Sequence, residues 1–120
     1  MLKPERRTTV TTLVNGIRLE KLVDVRKTLA DFLREEAGCV NVRLGCEHGV
    51  CGACTVLVDG LPVRSCLRLA PQAQGQEITT LEGLMETELG KAIGRSFVEH
   101  FAMQCGFCTA GIVVSVYHLL

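Results

Sequence analysis

The chain has 120 residues, 48% of which are apolar, and its 13 Lys and Arg residues balance its 13 Asp and Glu residues. This length allows one ordinary domain or two very small domains that depend on a cofactor. A formal net charge of zero gives no electrostatic basis for binding nucleic acid. We therefore expect protein or cofactor partners and no large independent active site.

No segment has the character of a membrane span or an export signal. The longest apolar stretch, residues 112–120, is interrupted by Ser115 and His118 and is about half of the roughly 20 residues that cross a bilayer. The first nine residues contain a twin arginine without the apolar run that an export signal needs. We expect a cytoplasmic protein.

The chain opens with the pattern of a hairpin followed by a helix. Residues 10–14 and 17–23 read as strands, and Asn15-Gly16 between them favours a two-residue turn. Thr28 then begins a T-x-x-D pattern typical of a helix N-cap, and Gly38 is placed to end the helix. The first 40 residues therefore predict a short helix packed on a hairpin.

A second hairpin is predicted in the middle of the chain. Residues 55–58 and 61–64 flank Asp59-Gly60, which has the same preference for a tight turn. Together with the first hairpin and the helix, these strands predict a small mixed sheet around one helix.

The composition changes at residues 71–76, where Gln, Ala and Gly predominate and indicate a boundary. Beyond it, apolar residues recur near spacings of three, four and seven, as amphipathic helices require. These residues are Leu81, Leu84, Met85, Ile93, Phe97 and Phe101. We predict a ferredoxin-like domain at 1–79 and a helical domain at 80–120.

Four of the seven cysteines follow a recognisable metal-ligand spacing. Cys46-x4-Cys51-x2-Cys54 is followed, after eleven residues, by Cys66. The first three have the spacing of plant-type 2Fe-2S centres. Without an export signal, metal ligation or redox chemistry is favoured over disulfides. The four cysteines are therefore predicted to hold a 2Fe-2S cluster.

The glycines of this loop support iron–sulfur over zinc. Gly45, Gly49 and Gly52 lie beside the ligands, where a missing Cβ lets backbone N–H groups point at sulfur. Four cysteines also suit tetrahedral zinc, but zinc sites usually combine two short knuckles that are well apart. Glu47 and His48 lie in the loop and are assigned no role.

The segments at residues 45–60 and 65–67 resemble the small subunit of the xanthine dehydrogenase and aerobic carbon monoxide dehydrogenase family, and the resemblance runs over nearly the whole chain. It implies an α+β fold, in which a β-grasp ferredoxin-like domain precedes a partial all-helical domain. It also implies an electron-transfer subunit that passes electrons from molybdenum through 2Fe-2S centres to flavin or another acceptor. The implied partners are a molybdopterin-binding large subunit and an FAD-binding medium subunit.

A second cysteine motif follows at Gln104-Cys105-x2-Cys108. By itself Cys-x2-Cys fits half of a metal site or a dithiol pair, and the latter expects a thioredoxin-like βαβ context. The resemblance implies that Cys105 and Cys108 bind a second 2Fe-2S cluster and that Gln104 approaches the pterin. The family completes this cluster with a downstream Cys-x-Cys pair that residues 109–120 lack. We expect a truncated subunit with an incomplete second site.

Three further residues are noted. Ala110 and Phe101 stand where the family commonly has proline and glycine, and Cys39 is predicted to be a small buried hydrophobe.

Two alternative functions are open. A free-standing 2Fe-2S ferredoxin would share the first motif, although such carriers often have a strongly acidic surface that this chain lacks. A zinc-stapled interaction module is the third possibility.

Overall fold

The structure, a computed structural model, describes residues 6–120, so the first five residues of the predicted 1–79 domain lie outside it. One mixed sheet has the strand order β2-β1-β5-β3-β4. Its strands are β1 (Arg7–Val14), β2 (Ile17–Asp24), β3 (Thr55–Val58), β4 (Leu61–Arg64) and β5 (Glu77–Thr79). The helices are α1 (Leu29–Glu35), α2 (Leu81–Leu84), α3 (Glu88–Glu99) and α4 (Thr109–Leu119).

Both predicted hairpins are present. Strands β1 and β2 pair antiparallel over their whole length, and β3 pairs with β4 in the same way. The turn residues adopt the left-handed conformation that such turns need, with φ of 52° at Asn15, 83° at Gly16, 49° at Asp59 and 83° at Gly60. These local signals therefore set the two outer pairs of the sheet.

Helix α1 covers one face of the sheet. The Thr28 hydroxyl accepts a hydrogen bond from the Asp31 N–H at 3.1 Å, which confirms the predicted N-cap. Leu29, Phe32 and Leu33 are fully buried and form part of the main core with side chains from the strands. The helix thereby fixes the start of the loop that carries three cysteines.

Residues 71–76, where the composition changes, lie within the sheet region, so the change in composition precedes the last strand of the predicted 1–79 domain. A short helical turn, Ala70–Ala73, leads into β5. Strand β5 pairs parallel with β1 and antiparallel with β3, and its Ile78 is fully buried. A three-residue strand is too short to show an alternating pattern, so only its tertiary pairing reveals it.

The helical pattern is confirmed as far as α3 and ends there. Leu84 and Ile93 are buried, whereas Phe101 lies beyond the helix and is 90% exposed, so its assignment to the helical face was wrong. Phe101 has φ of 53°. The Ala102 N–H donates to Phe97 O and the Phe101 N–H donates to Val98 O, as in a Schellman C-cap. Phe101 thus occupies the left-handed position that glycine prefers.

Helix α4 packs against the sheet region. Leu57, Leu84 and Val114 form a second small core that joins β3 to the helices. A Cβ at Gly111 would overlap the carbonyl oxygen of Gly52, so the two backbones are in direct contact. Within residues 6–120, no helix combines the length and apolar character needed to cross a membrane.

Candidate metal centre

The loop that carries Cys46, Cys51 and Cys54 connects α1 to β3 and is tied down before its first cysteine. The Arg34 guanidinium, near the end of α1, donates to the carbonyls of Val40 at 2.8 Å and Val42 at 3.0 Å. These bonds anchor the loop, since the backbone there belongs to no strand or helix.

The sulfur of Cys46 lies inside a ring of backbone donors. The N–H groups of His48, Val50 and Cys51 point at it, with N to Sγ distances of 3.4, 3.3 and 3.3 Å. The backbone N–H groups of Cys51 and His48 lower the pKa of the Cys46 thiol to about 6. This arrangement favours a thiolate, which is the form that binds metal.

The β3–β4 hairpin brings Cys54 and Cys66 together. Its register pairs Thr55 with Arg64, so the residues just outside the hairpin meet at its open end. The Ser65 hydroxyl donates to Cys54 O at 2.6 Å, which holds the following residue, Cys66, next to Cys54. Burial raises the pKa of the Cys66 thiol to about 11, and the adjacent Cys54 thiol adds to this rise. The eleven-residue spacing is therefore the length of one hairpin.

Two glycines of the loop are required by its shape. A Cβ at Gly45 would lie 3.1 Å from the Cys51 sulfur, so the backbone approaches that sulfur closely. Gly49 has φ of 89°, and a Cβ there would lie 2.7 Å from Leu67 Cδ1. Both observations agree with the predicted role of glycine in wrapping the loop around a cluster.

The four cysteines lie near one another. The Cys46 sulfur accepts a hydrogen bond from the Cys51 N–H, and the bond from the Ser65 hydroxyl to Cys54 O places Cys66 beside Cys54. A 2Fe-2S cluster takes four cysteines, two on each iron, so this donor set fits it. In the part of the chain that the structure describes, no three Cys, His or acidic side chains surround one point as a single ion would require.

The second motif lies at the surface. Gln104, Cys105 and Cys108 are exposed and line a cavity of about 390 Å³ with Phe101 and Met103. Cys108 directly precedes α4, and Gly106 turns the backbone with φ of 81°. The structure brings the two predicted thiol ligands to one short loop. It shows no further cysteine at this site within residues 6–120.

Contacts that the sequence did not reveal join the two cysteine motifs. The Arg43 guanidinium donates to Gly106 O at 3.1 Å and lies 5.7 Å from the centre of the Phe107 ring. The edge of that ring faces Gly45, where a Cβ would lie 3.4 Å from Phe107 Cε1. The segment between Cys105 and Cys108 therefore packs directly on the first cysteine loop.

Cys39 lies apart from both motifs. It is 5% exposed and belongs to the main core, in agreement with its predicted packing role. Burial raises the pKa of its thiol. Such a thiol is inert rather than metal-binding.

Two family models match the chain. Residues 5–93 match the family described as "2Fe-2S iron-sulfur cluster binding domain", and residues 80–120 match the "[2Fe-2S] binding domain" family. The first match alone covers more than half of the chain.

Individual relatives are named as subunits of hydroxylases and dehydrogenases. The nicotine 6-hydroxylase small subunit of Paenarthrobacter nicotinovorans is 50% identical over 117 residues, which cover 98% of this chain and 70% of that protein. The xanthine dehydrogenase iron-sulfur-binding subunit of Escherichia coli O157:H7 is 41% identical, with 93% of this chain and 70% of that protein covered.

A solved structure has the same fold. Quinoline 2-oxidoreductase from Pseudomonas putida 86 superposes with a TM-score of 0.89 at 46% identity, over 95% of this chain and 70% of that one. The expected α+β arrangement, a ferredoxin-like domain with helices after it, is thereby confirmed. The chain belongs to the family of 2Fe-2S iron–sulfur subunits of molybdenum hydroxylases.

Proposed function

We propose that this chain is the electron-transfer subunit of a molybdenum-dependent hydroxylase or dehydrogenase. Its partners are a molybdopterin-binding large subunit and an FAD-binding medium subunit, which hold those cofactors. A bound 2Fe-2S cluster supplies a one-electron carrier between them. The chain itself moves charge and does not touch the substrate.

The main evidence for this proposal is the set of four thiols and the backbone N–H groups that point at them. Cys46, Cys51, Cys54 and Cys66 would hold the cluster, and N–H groups aimed at the Cys46 sulfur stabilise the negative charge that reduction adds. Cys51 is exposed and Cys46 is half-buried, so the site lies near the surface. A partner protein can therefore approach the site closely enough for electron transfer without a rearrangement of the loop.

We assign Cys105 and Cys108 to a second 2Fe-2S site. Two thiolates supply half of what a cluster needs, so the remaining ligands must come from outside residues 1–120. Gln104 precedes this pair on the exposed side and is the residue proposed to approach the pterin. This site would lie nearer to the molybdenum than the first one.

The domain division and the compartment belong to the same proposal. The ferredoxin-like domain is assigned to 1–79 and the helical cluster-binding domain to 80–120, with the change falling between β5 and α2. The complex is assigned to the cytoplasm, where reducing conditions keep cysteine motifs of this kind available for metal.

The test is an absorption spectrum of anaerobically purified protein together with iron and labile-sulfide analysis. Broad absorption between about 400 and 550 nm that dithionite bleaches, with about two irons per chain, is expected. About four irons would mean that ligands from elsewhere complete the second site. A colourless protein with one zinc would favour the interaction module and contradict the electron-transfer function.

The alternative of a free-standing ferredoxin is tested by isolation from the native source under gentle conditions. Copurification of a molybdopterin-containing chain is expected. A fully loaded protein that migrates alone and exchanges electrons with soluble carriers would support the ferredoxin instead.

A further inference from the structure

Arg64 places a positive charge against the first cysteine loop. It is the last residue of β4, and its half-buried side chain lines a cavity of about 170 Å³ together with Cys51 and residues of α4. A Cβ at Gly52 would lie 3.4 Å from the Arg64 Cζ atom. The guanidinium therefore packs on the backbone that separates Cys51 from Cys54.

This charge is not neutralised locally. The guanidinium bonds to a neutral group, because Arg64 Nη1 donates to the Thr55 hydroxyl at 2.7 Å. Among residues 6–120, none of the ion pairs involves Arg64. A half-buried charge without a carboxylate is screened less than one in solvent, so its field reaches the loop.

A short relay connects the guanidinium to a sulfur atom. The Thr55 hydroxyl, which accepts from Arg64, donates to Gly52 O at 2.7 Å. The same peptide group carries the Ala53 N–H, which points at the Cys51 sulfur with an N to Sγ distance of 3.4 Å. Because hydrogen bonds in a chain polarise one another, this peptide becomes a stronger donor to the sulfur.

We propose that Arg64 is the positioning residue that raises the reduction potential of the first cluster. Reduction adds one electron from the donor and no proton, and the site becomes more negative by one charge. A fixed positive charge and a polarised N–H both stabilise that charge, so they favour the reduced state. This inference rests on the proposed function, because it requires a cluster on Cys46, Cys51, Cys54 and Cys66.

The test is a redox titration of the purified full chain with dithionite and mediators, followed by electron paramagnetic resonance. In Arg64→Met, the ratio of reduced to oxidised cluster at a fixed potential is expected to fall about tenfold, which equals about 59 mV for one electron. Arg64→Lys retains the charge and is expected to stay within about threefold of the parent. Thr55→Val breaks the relay but keeps the charge, so its ratio of reduced to oxidised cluster is expected to fall by less than that of Arg64→Met.

A matched control removes the same charge elsewhere. Arg18 lies on β2, at the opposite edge of the sheet from β4, and is exposed. Arg18→Met is expected to leave the potential unchanged. Iron content and the visible circular dichroism of each variant confirm that the cluster itself is intact.

The outcomes separate this inference from the proposed function. An unchanged potential in Arg64→Met, or an equal fall in Arg64→Met and Arg64→Lys, would overturn the role of the charge. If Arg64→Met loses its iron, Arg64→Gln, which keeps hydrogen-bond donors without charge, is titrated in its place under the same criteria. A parent protein that binds no cluster would instead overturn the proposed function.

Discussion

The two cysteine motifs differ in how much of a metal site each one builds. The first loop and the β3–β4 hairpin bring four thiols close together, and backbone N–H groups surround the Cys46 sulfur. The second presents Cys105 and Cys108 on an exposed loop with Gln104 beside them. Cysteine thus forms a predicted donor set of four in one region and a predicted set of two in the other.

This difference follows from the structure around each motif. A hairpin returns Cys66 to Cys54, so local strand pairing completes the first site. The second motif has α4 on one side and the end of α3 on the other, and neither element supplies a further thiol within residues 6–120. Strand pairing within residues 6–120 therefore gathers the first set of four thiols, whereas the Cys-x2-Cys pattern of the second motif supplies two.

Removing single cysteines gives the largest expected effect. Cys54→Ser takes a buried thiol from the complete set and is expected to abolish nearly all visible absorption and iron binding. Cys105→Ser is expected to leave both unchanged in the 120-residue protein, because its set is incomplete. Iron analysis and the visible spectrum of each variant measure the difference.

Cys39→Ala serves as the control for loss of a buried thiol outside both motifs. It is expected to retain the full spectrum. Equal iron loss in Cys54→Ser and Cys105→Ser would break the distinction between the two regions.

The contact between the two regions is tested at Gly111. A methyl group there would press against the Gly52 carbonyl, and overpacking of this kind typically costs about 1–3 kcal/mol. The better helix propensity of alanine offsets up to about 1 kcal/mol. We expect Gly111→Ala to lower the free energy of unfolding by about 1–2 kcal/mol, as measured by anaerobic urea denaturation.

Gly94 provides the matched helical glycine. A Cβ there would lie 3.0 Å from Met85 Cε, the end of a flexible side chain. Gly94→Ala is expected to be neutral or stabilising by up to about 1 kcal/mol. A stable Gly111→Ala variant with an unchanged spectrum would show that α4 does not need its close approach to the loop.

The sequence predicts those features of the fold and of the candidate site that depend on residues close together in the chain. Asn15-Gly16 and Asp59-Gly60 specify the hairpins, because a two-residue turn acts locally, and the spacing of the cysteines predicts the first donor set. Strand β5 escaped prediction, since Ile78 is its only apolar residue and its partners are distant in sequence. The same applies to the bond from Arg43 to Gly106, which spans 63 residues.

Phe101, the αL residue after α3, tests the cost of a side chain at a backbone position that favours glycine. Phe101 has φ of 53° and is 90% exposed, so it carries left-handed strain without the compensation of burial. We expect Phe101→Gly to raise the free energy of unfolding by about 1 kcal/mol. Phe101→Ala retains the Cβ, so its free energy of unfolding is expected to rise clearly less. Equal gains in both variants would trace the effect to the aromatic ring.

The smallest expected effect concerns the ion pairs of Lys27, which lies just before α1. A change there is expected to alter the stability of the fold but not the retention of the cluster. Lys27 Nζ lies 2.6 Å from Glu35 Oε2 and 3.2 Å from Glu36 Oε1. Burial lowers the pKa of Lys27, but the two carboxylates outweigh it and leave the pKa raised. The stabilisation is therefore fully present below the unfolded pKa of about 10.4 and is lost as pH rises through the folded value.

Lys27→Met keeps most of the aliphatic contact and removes the charge. We expect it to cost about 0.5–1 kcal/mol near pH 7, with the gap from the parent closing above about pH 11. Urea midpoints at both pH values measure the gap, while the visible spectrum near pH 7 is expected to match that of the parent. A gap that persists unchanged at high pH would assign the cost to packing, since the ionic contribution must disappear when Lys27 loses its proton.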